Sequence, residues 1–201
     1  YTTLFRSVTY ALDDHPHTGA THYVDTVKKI PAIACSTKDA EWLSDLLKKK
    51  KHVELFIKTN CETLPDVESF NVVGEIRGTE NKDEIITCGG HLDSWDNGEG
   101  AHDDGAGVVQ TIEILYLYKA LGIKPRHTIR VVAFMNEENG LGGANAYFKE
   151  TEEKKLKHIA ALETDAGGYT PRAFGVDTVK GLHKMVLSWA KLFKPYFIWG
   201  L

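Results

Sequence analysis

Apolar residues in this chain change period several times, and each change marks the edge of an element. Residues 30–35 (IPAIAC) form a short apolar run entered through Pro31 and predict a strand. Ser36 and Thr37, followed by Asp39 and Glu41, supply the cap and acidic first turn of a helix reaching residue 47. The lysines at 48–51 close it, where positive charge complements the carbonyl end of the helix dipole. Residues 53–58 (VELFIK) alternate as a strand, and 70–76 with 84–88 predict two further strands joined by the polar turn 77–83. A helix follows over 107–121, with Val108, Ile112, Ile114 and Leu115 on a broad apolar stripe. After Pro125, residues 128–135 (TIRVVAFM) have the length and β-branched content of a fully buried strand. A short helix over 141–150, a charged surface over 151–157, a strand over 158–164 and an amphipathic helix over 179–193 complete the pattern. Residues 1–24 carry no sustained period, and DDHPHTG around Pro16 is loop chemistry, where His15 and His17 are better read as solvated than as ligands.

Composition narrows the class without naming it. A chain of 201 residues, 42% hydrophobic and 26% charged, can bury one full core and is ordinary for a soluble globular protein. A net charge of -4 and a pI near 6.1 give no electrostatic footprint for nucleic acid or an anionic membrane. No apolar run approaches the roughly 20 residues that span a bilayer. Cys35, Cys61 and Cys88 lack close CxxC spacing and cannot all pair within the chain. Cys35 and Cys88 read as small buried hydrophobes in apolar strands. The chain begins at Tyr1 without a signal-peptide pattern and stops soon after a predicted helix, so it is expected to be a fragment.

Chemistry is concentrated at the carboxyl ends of the predicted strands. The stretch 89–107, GGHLDSWDNGEGAHDDGAG, carries His91, Asp93, Asp96, Glu99, His102, Asp103 and Asp104 and no lysine or arginine. The strand over 128–135 runs straight into Asn136, Glu137, Glu138 and Asn139, and the next ends at Glu163 and Asp165 before two glycines. Strands alternating with helices, each strand ending in acid and glycine, predict an α/β sheet with its site along the strand ends. A paired-glutamate motif or a DDG turn alone would be surface decoration. Three acidic strand ends together favour a divalent cation, and imidazole with carboxylates suits zinc better than calcium. His91, Asp103, Glu138 and Asp165 are the candidate ligands, with Asp103 placed to bridge two ions. Glu137, adjacent to Glu138, is the candidate general base, and Asp93 the carboxylate that fixes the tautomer of His91. His102 reads as a pocket-edge residue and Asp104 as a loop stabiliser, while Asp96 and Glu99 are solvated.

At these residues the sequence resembles the co-catalytic di-zinc aminopeptidase family, in its carboxypeptidase Q branch. The matching segments are RSVTY, PHTG, KIPAIACSTKDAEWL, HLDSWDNGEGAHDDGAG, PRHTIRVVAFMNEENGLGGANAY and ETDAGG. The resemblance implies a phosphorylase/hydrolase-like mixed sheet with helices on both faces, two zinc ions, and hydrolysis of small peptides, especially dipeptides. It places His91 and Asp165 on one zinc, Glu138 on the other and Asp103 between them, with Glu137 as base and Asp93 behind His91. It further implies that residues 1–58 close a protease-associated insert and that 59–201 begin the catalytic domain. The fifth family ligand, a histidine, would lie beyond Leu201, so this fragment is expected to bind metal weakly or at one site and to have little or no activity alone. A secreted or lysosomal homodimer is implied as well. Two other readings stay open at this point: a catalytically silent binding or receptor domain, and a di-metal amidohydrolase acting on non-peptide amides.

Overall fold

The computed structural model describes residues 13–16, 23–24, 26–50, 52–62, 64–95, 98–165 and 167–200. The readings made for residues 1–12, His17 and Asp96 lie outside them. A four-stranded mixed sheet carries the fold, built from β1 (Val72–Ile76), β2 (Asn81–His91), β3 (His127–Phe134) and β4 (Lys157–Glu163). Their spatial order is β1-β3-β2-β4. Strand β2 runs parallel to β3 and β4, and β1 is antiparallel on the far side of β3. Helices α2 (Ala106–Ala120) and α3 (Gly142–Lys154) make the crossovers from β2 to β3 and from β3 to β4. Such crossovers bring the carboxyl ends of parallel strands to one edge, which is where the acids were found.

The strand expected over 70–76 does form, as β1, but it is not the neighbour of β2. Strand β3 lies between the two, with Val72 opposite Ala133 and Ile76 opposite Ile129. The connecting turn crosses the start of β3, where Gly78 N–H donates to Thr128 Oγ1 (3.0 Å) and Asn81 N–H to the Arg126 carbonyl (2.9 Å).

Buried Ile85, Cys88, Ile129, Val131, Val132 and Ala133 put the core on the two central strands. Neighbouring residues of a strand face opposite ways, and each face has its own helix. Helix α2 lies over the face that holds Gly74, whose missing Cβ would stand 3.2 Å from Leu115 Cδ1. Helix α3 covers the other face, with the Tyr147 hydroxyl 3.2 Å from Arg130 Nη1 and its ring edge-on to Phe134. Helices on both faces of a mixed sheet are the architecture expected from the sequence.

Helix α1 (Thr37–Lys49) is capped as predicted: Ser36 Oγ accepts from Asp39 N–H at 3.0 Å and donates to the Asp39 carboxylate at 2.8 Å. Two expected strands do not form. Residues 30–35 and 53–58 are in no strand among the described residues, and Ile30 and Phe56 are 63% and 92% exposed. An apolar alternation becomes a strand only when a neighbouring strand completes its ladder and covers its side chains. Cys35 consequently lies in no strand, whereas Cys88 is buried in β2 and Cys61 is exposed; all of them are free thiols. The helix expected over 179–193 is divided into α4 (His183–Ser188) and α5 (Ala190–Phe193), followed by a 3₁₀ turn at Lys194–Tyr196. No helix among the described residues is long and apolar enough to cross a membrane.

Candidate metal centre

Strand β2 ends on His91, whose side chain is 1% exposed, and the next turn brings the chain back beneath it. Asp104 makes that return. Its buried carboxylate accepts from His91 N–H through Oδ2 (3.0 Å) and from Gly107 N–H through Oδ1 (2.9 Å), joining the strand end to the first turn of α2. Burial pushes the Asp104 carboxyl up, and the two backbone hydrogen bonds oppose it without cancelling it. Only glycine fits at 107, because a Cβ there would stand 2.0 Å from the Thr164 carbonyl oxygen and 2.2 Å from Asp104 Oδ1. The loop-stabilising role expected of Asp104 is what these contacts describe.

The imidazole of His91 is oriented from both sides. Nδ1 lies 2.8 Å from the Asp93 carbonyl oxygen, so Nδ1 is assigned the proton and Nε2 faces outward. Nε2 meets Asp103 Oδ1 at 3.0 Å and Asp165 Oδ1 at 3.4 Å. Asp165 is positioned by the continuation of the β2–β4 ladder, in which Thr164 N–H donates to the Gly89 carbonyl at 3.0 Å. His91, Asp103 and Asp165 each offer one ligand atom, and the three atoms lie within 4.8 Å of one another. Burial pulls the His91 pKa down, but the Asp93 carbonyl and the carboxylates of Asp165, Asp103 and Asp104 outweigh it and raise it. The position that attracts a proton on Nε2 is the position that a cation would take.

The Asp93 carboxylate has a different partner from the one the sequence suggested. Its Oδ1 is 3.7 Å from His91 Nδ1, while Oδ1 accepts from Glu137 N–H (2.9 Å) and Oδ2 from Glu138 N–H (3.2 Å). The carbonyl of Asp93 orients the ring, and its side chain seats the loop after β3. That loop starts at Asn136, at φ +63°, and closes when Leu141 N–H donates to the Glu137 carbonyl at 3.1 Å. Asn71 brackets it from outside: Oδ1 accepts from Met135 N–H (3.0 Å) and Nδ2 donates to the Gly143 carbonyl (2.8 Å). Sequence reasoning did not single out Asn71, since its partners lie 64 and 72 residues away and no local pattern marks it.

Glu138 stands beside this cluster rather than within its three converging atoms. Its Oε1 is buried and has no hydrogen-bond partner. Burial raises its pKa, with the Asp103 carboxylate the next contributor. Glu137 is raised too, by burial and by Asp165, Asp93 and Glu163 against the opposing pull of His91. Among the described residues no lysine or arginine pairs with any of these acids. A partnerless buried carboxylate oxygen beside converging carboxylates and one imidazole fits a dication and is costly without one. His102 takes no part in the ligand cluster and lies against Gly168 and Tyr169.

Comparison with known proteins supplies the family. The profile of Peptidase family M28 matches residues 71–197, which include every residue of the site. The chain belongs to peptidase family M28. It is 36% identical to carboxypeptidase Q of Mus musculus over 176 residues, covering 86% of this chain and 37% of that protein. Against carboxypeptidase Q of Homo sapiens it is 36% identical over 188 residues, covering 92% and 40% respectively. Its fold superimposes on the crystal structure of a peptidase M28 precursor from Shewanella amazonensis with a TM-score of 0.79 and 33% identity, covering 94% of this chain and 43% of that one. The chain thus spans about two fifths of the length of these relatives.

Proposed function

We propose that this chain is the metal-bearing part of a zinc-dependent exopeptidase that hydrolyses small peptides, dipeptides in particular. The observation that carries the reading is the convergence of His91, Asp103 and Asp165 beside a buried, partnerless Glu138 oxygen. In this assignment His91 and Asp165 would hold one zinc and Glu138 the other, with Asp103 shared between them, for two ions in a complete catalytic domain. The ions, when bound, supply Lewis acidity and lower the pKa of water.

The chain's own residues then divide the work. Glu137 takes the proton from the attacking water and passes it to the leaving amine, and its raised pKa brings a carboxylate closer to the operating range of a general base. Asp93 keeps the proton on His91 Nδ1 through its carbonyl, leaving Nε2 to ligate, and holds Glu137 and Glu138 in register through its carboxylate. Residues 1–58 are assigned to the end of a protease-associated-like insert and 59–201 to the catalytic domain, in keeping with a family match that begins at residue 71. A secreted or lysosomal homodimer completes the proposal; recovery of the product as a cytosolic monomer would reject that part.

The test is dipeptide hydrolysis by the complete gene product, with zinc added or chelated, beside a Glu137→Gln variant. Turnover is expected to require zinc, and the variant to retain zinc while turning over about 10²-fold more slowly or worse. Equal turnover by variant and parent would remove Glu137 from the role of base.

A further inference from the structure

Asp103 and Asp165 stand on separate loops, after β2 and β4, and two neighbouring carboxylates repel one another before any cation arrives. Something must hold the loops together. The residue immediately before Asp103 is His102, and three consecutive residues just beyond Asp165 surround its ring. Gly168 N–H donates to His102 Nδ1 at 3.2 Å, which makes Nδ1 the acceptor and assigns the proton to Nε2. The Tyr169 ring packs edge-on at a centroid distance of 4.9 Å and an interplanar angle of 69°. Gly167, at φ +81°, lies so close that a Cβ there would stand 2.0 Å from His102 Cε1 and 2.1 Å from Nε2. The positive φ and the missing Cβ both let the backbone fold against the imidazole.

We propose that His102 is a positioning residue that clasps the Asp165 loop to the Asp103 loop and so presets these two carboxylates for a divalent cation. The proposal rests on the reading of Asp103 and Asp165 as ligands. His102 itself is not a ligand here: Nδ1 is engaged by Gly168, and the opposite edge of the ring is closed by Gly167. The clasp replaces what the cation would otherwise have to do on arrival, which is to draw two like-charged loops into one geometry. Outer contacts of this kind are typically worth about 10–100-fold in metal affinity.

The experiment is zinc titration of the complete gene product against a chromophoric chelator, with melting of the metal-free protein measured in parallel. His102→Ala should weaken zinc binding about 10-fold and leave metal-free melting unchanged, because the contact joins two exposed loops rather than core elements. Gly167→Ala, which drives a methyl into the ring, should weaken zinc binding similarly. His102→Asn should recover most of the affinity, since its amide oxygen can accept from Gly168 N–H. Zinc binding by His102→Ala as tight as that of the parent, or an Asn variant no better than Ala, would overturn the clasp. A metal-free melting loss in His102→Ala would overturn it too, by showing a general role in the fold. A parent protein that binds no zinc would instead reject the ligand assignment on which the clasp stands.

Discussion

At the amino ends of the parallel strands, Glu84 lies between Lys157 (2.5 Å) and His127 (3.0 Å), and Glu80 pairs with Arg126 (2.8 Å). At the carboxyl ends, Asp93, Asp103, Glu137, Glu138 and Asp165 share a single buried imidazole. The same residue type responds in opposite ways. The Lys157 hydrogen bond lowers Glu84, whereas burial raises Glu137 and Glu138. One end of the sheet neutralises its charge with its own side chains, and the other collects charge that the protein leaves unneutralised. Surplus acid is ordinary when solvated, but Glu138 Oε1 is buried and without a partner, so a proton or a cation has to neutralise it.

The largest expected effect of breaking this contrast is on metal binding at the carboxyl ends. Asp103→Asn removes the carboxylate shared between the two proposed ions, and zinc affinity measured by chelator competition should fall by at least about 100-fold, the upper range for outer contacts alone. Zinc at about 100 times its dissociation constant should stabilise the parent by about 2.7 kcal/mol and raise its melting temperature, with chelation reversing the gain. A melting curve indifferent to zinc would contradict the contrast between the two ends.

Next in size is Asp104→Asn. The amide keeps one acceptor and turns a donor toward a backbone N–H that the carboxylate now satisfies, at a residue 1% exposed. Unfolding by denaturant should show a loss of about 1–3 kcal/mol, the range for a buried polar group left without a partner.

Smaller again is a pH effect away from the site. His158 on β4 contacts Thr87 Oγ1 through Nδ1 (2.7 Å) and the Tyr147 hydroxyl through Nε2 (3.5 Å). Burial lowers its pKa below the ordinary 6.5, and the nearby Arg130 guanidinium adds to the shift. The unfolded chain therefore binds the proton more readily than the folded one. Stability contributed by neutral His158 is present above pH 6.5 and is lost as pH falls below it toward the folded value. Replacing His158 by Gln should flatten melting temperature against pH in that window, and an unchanged slope would assign the effect elsewhere. Smallest of all is Glu84→Gln, which breaks solvent-screened pairs at the amino ends and should leave the melting temperature within experimental error.

The site was more legible in the sequence than the sheet around it. Acids and glycines following an apolar strand are local patterns, and residues 89–107, 136–139 and 163–168 displayed them without knowledge of what packs where. The strands β3 and β4 were legible for the same reason, each beginning one residue earlier than expected. Pairing was not local. Nothing between 70 and 88 indicates that β3 will insert between β1 and β2, because that order is decided by the crossover through α2. Residues 53–58 alternate as well as a strand should, yet Phe56 faces water and no ladder forms there among the described residues. Trp189, between α4 and α5, marks another such limit: the apolar period runs through it, but its N–H bonds to the Val186 carbonyl (2.9 Å), three residues back, where the continuous helix ends. The second role of Asp93 was hidden because its partners, Glu137 and Glu138, arrive from 44 and 45 residues downstream.

Asp93 couples what would otherwise be two separable devices. Because one residue's carbonyl aims the imidazole while its carboxylate carries the amides of the proposed base and ligand, any tilt of that residue changes both the grip on the ion and the reach of the proton carrier. A change at Asn71, which grips Met135 and Gly143 on either side of that loop, would instead act on Glu137 and Glu138 together and leave the aim of the imidazole alone.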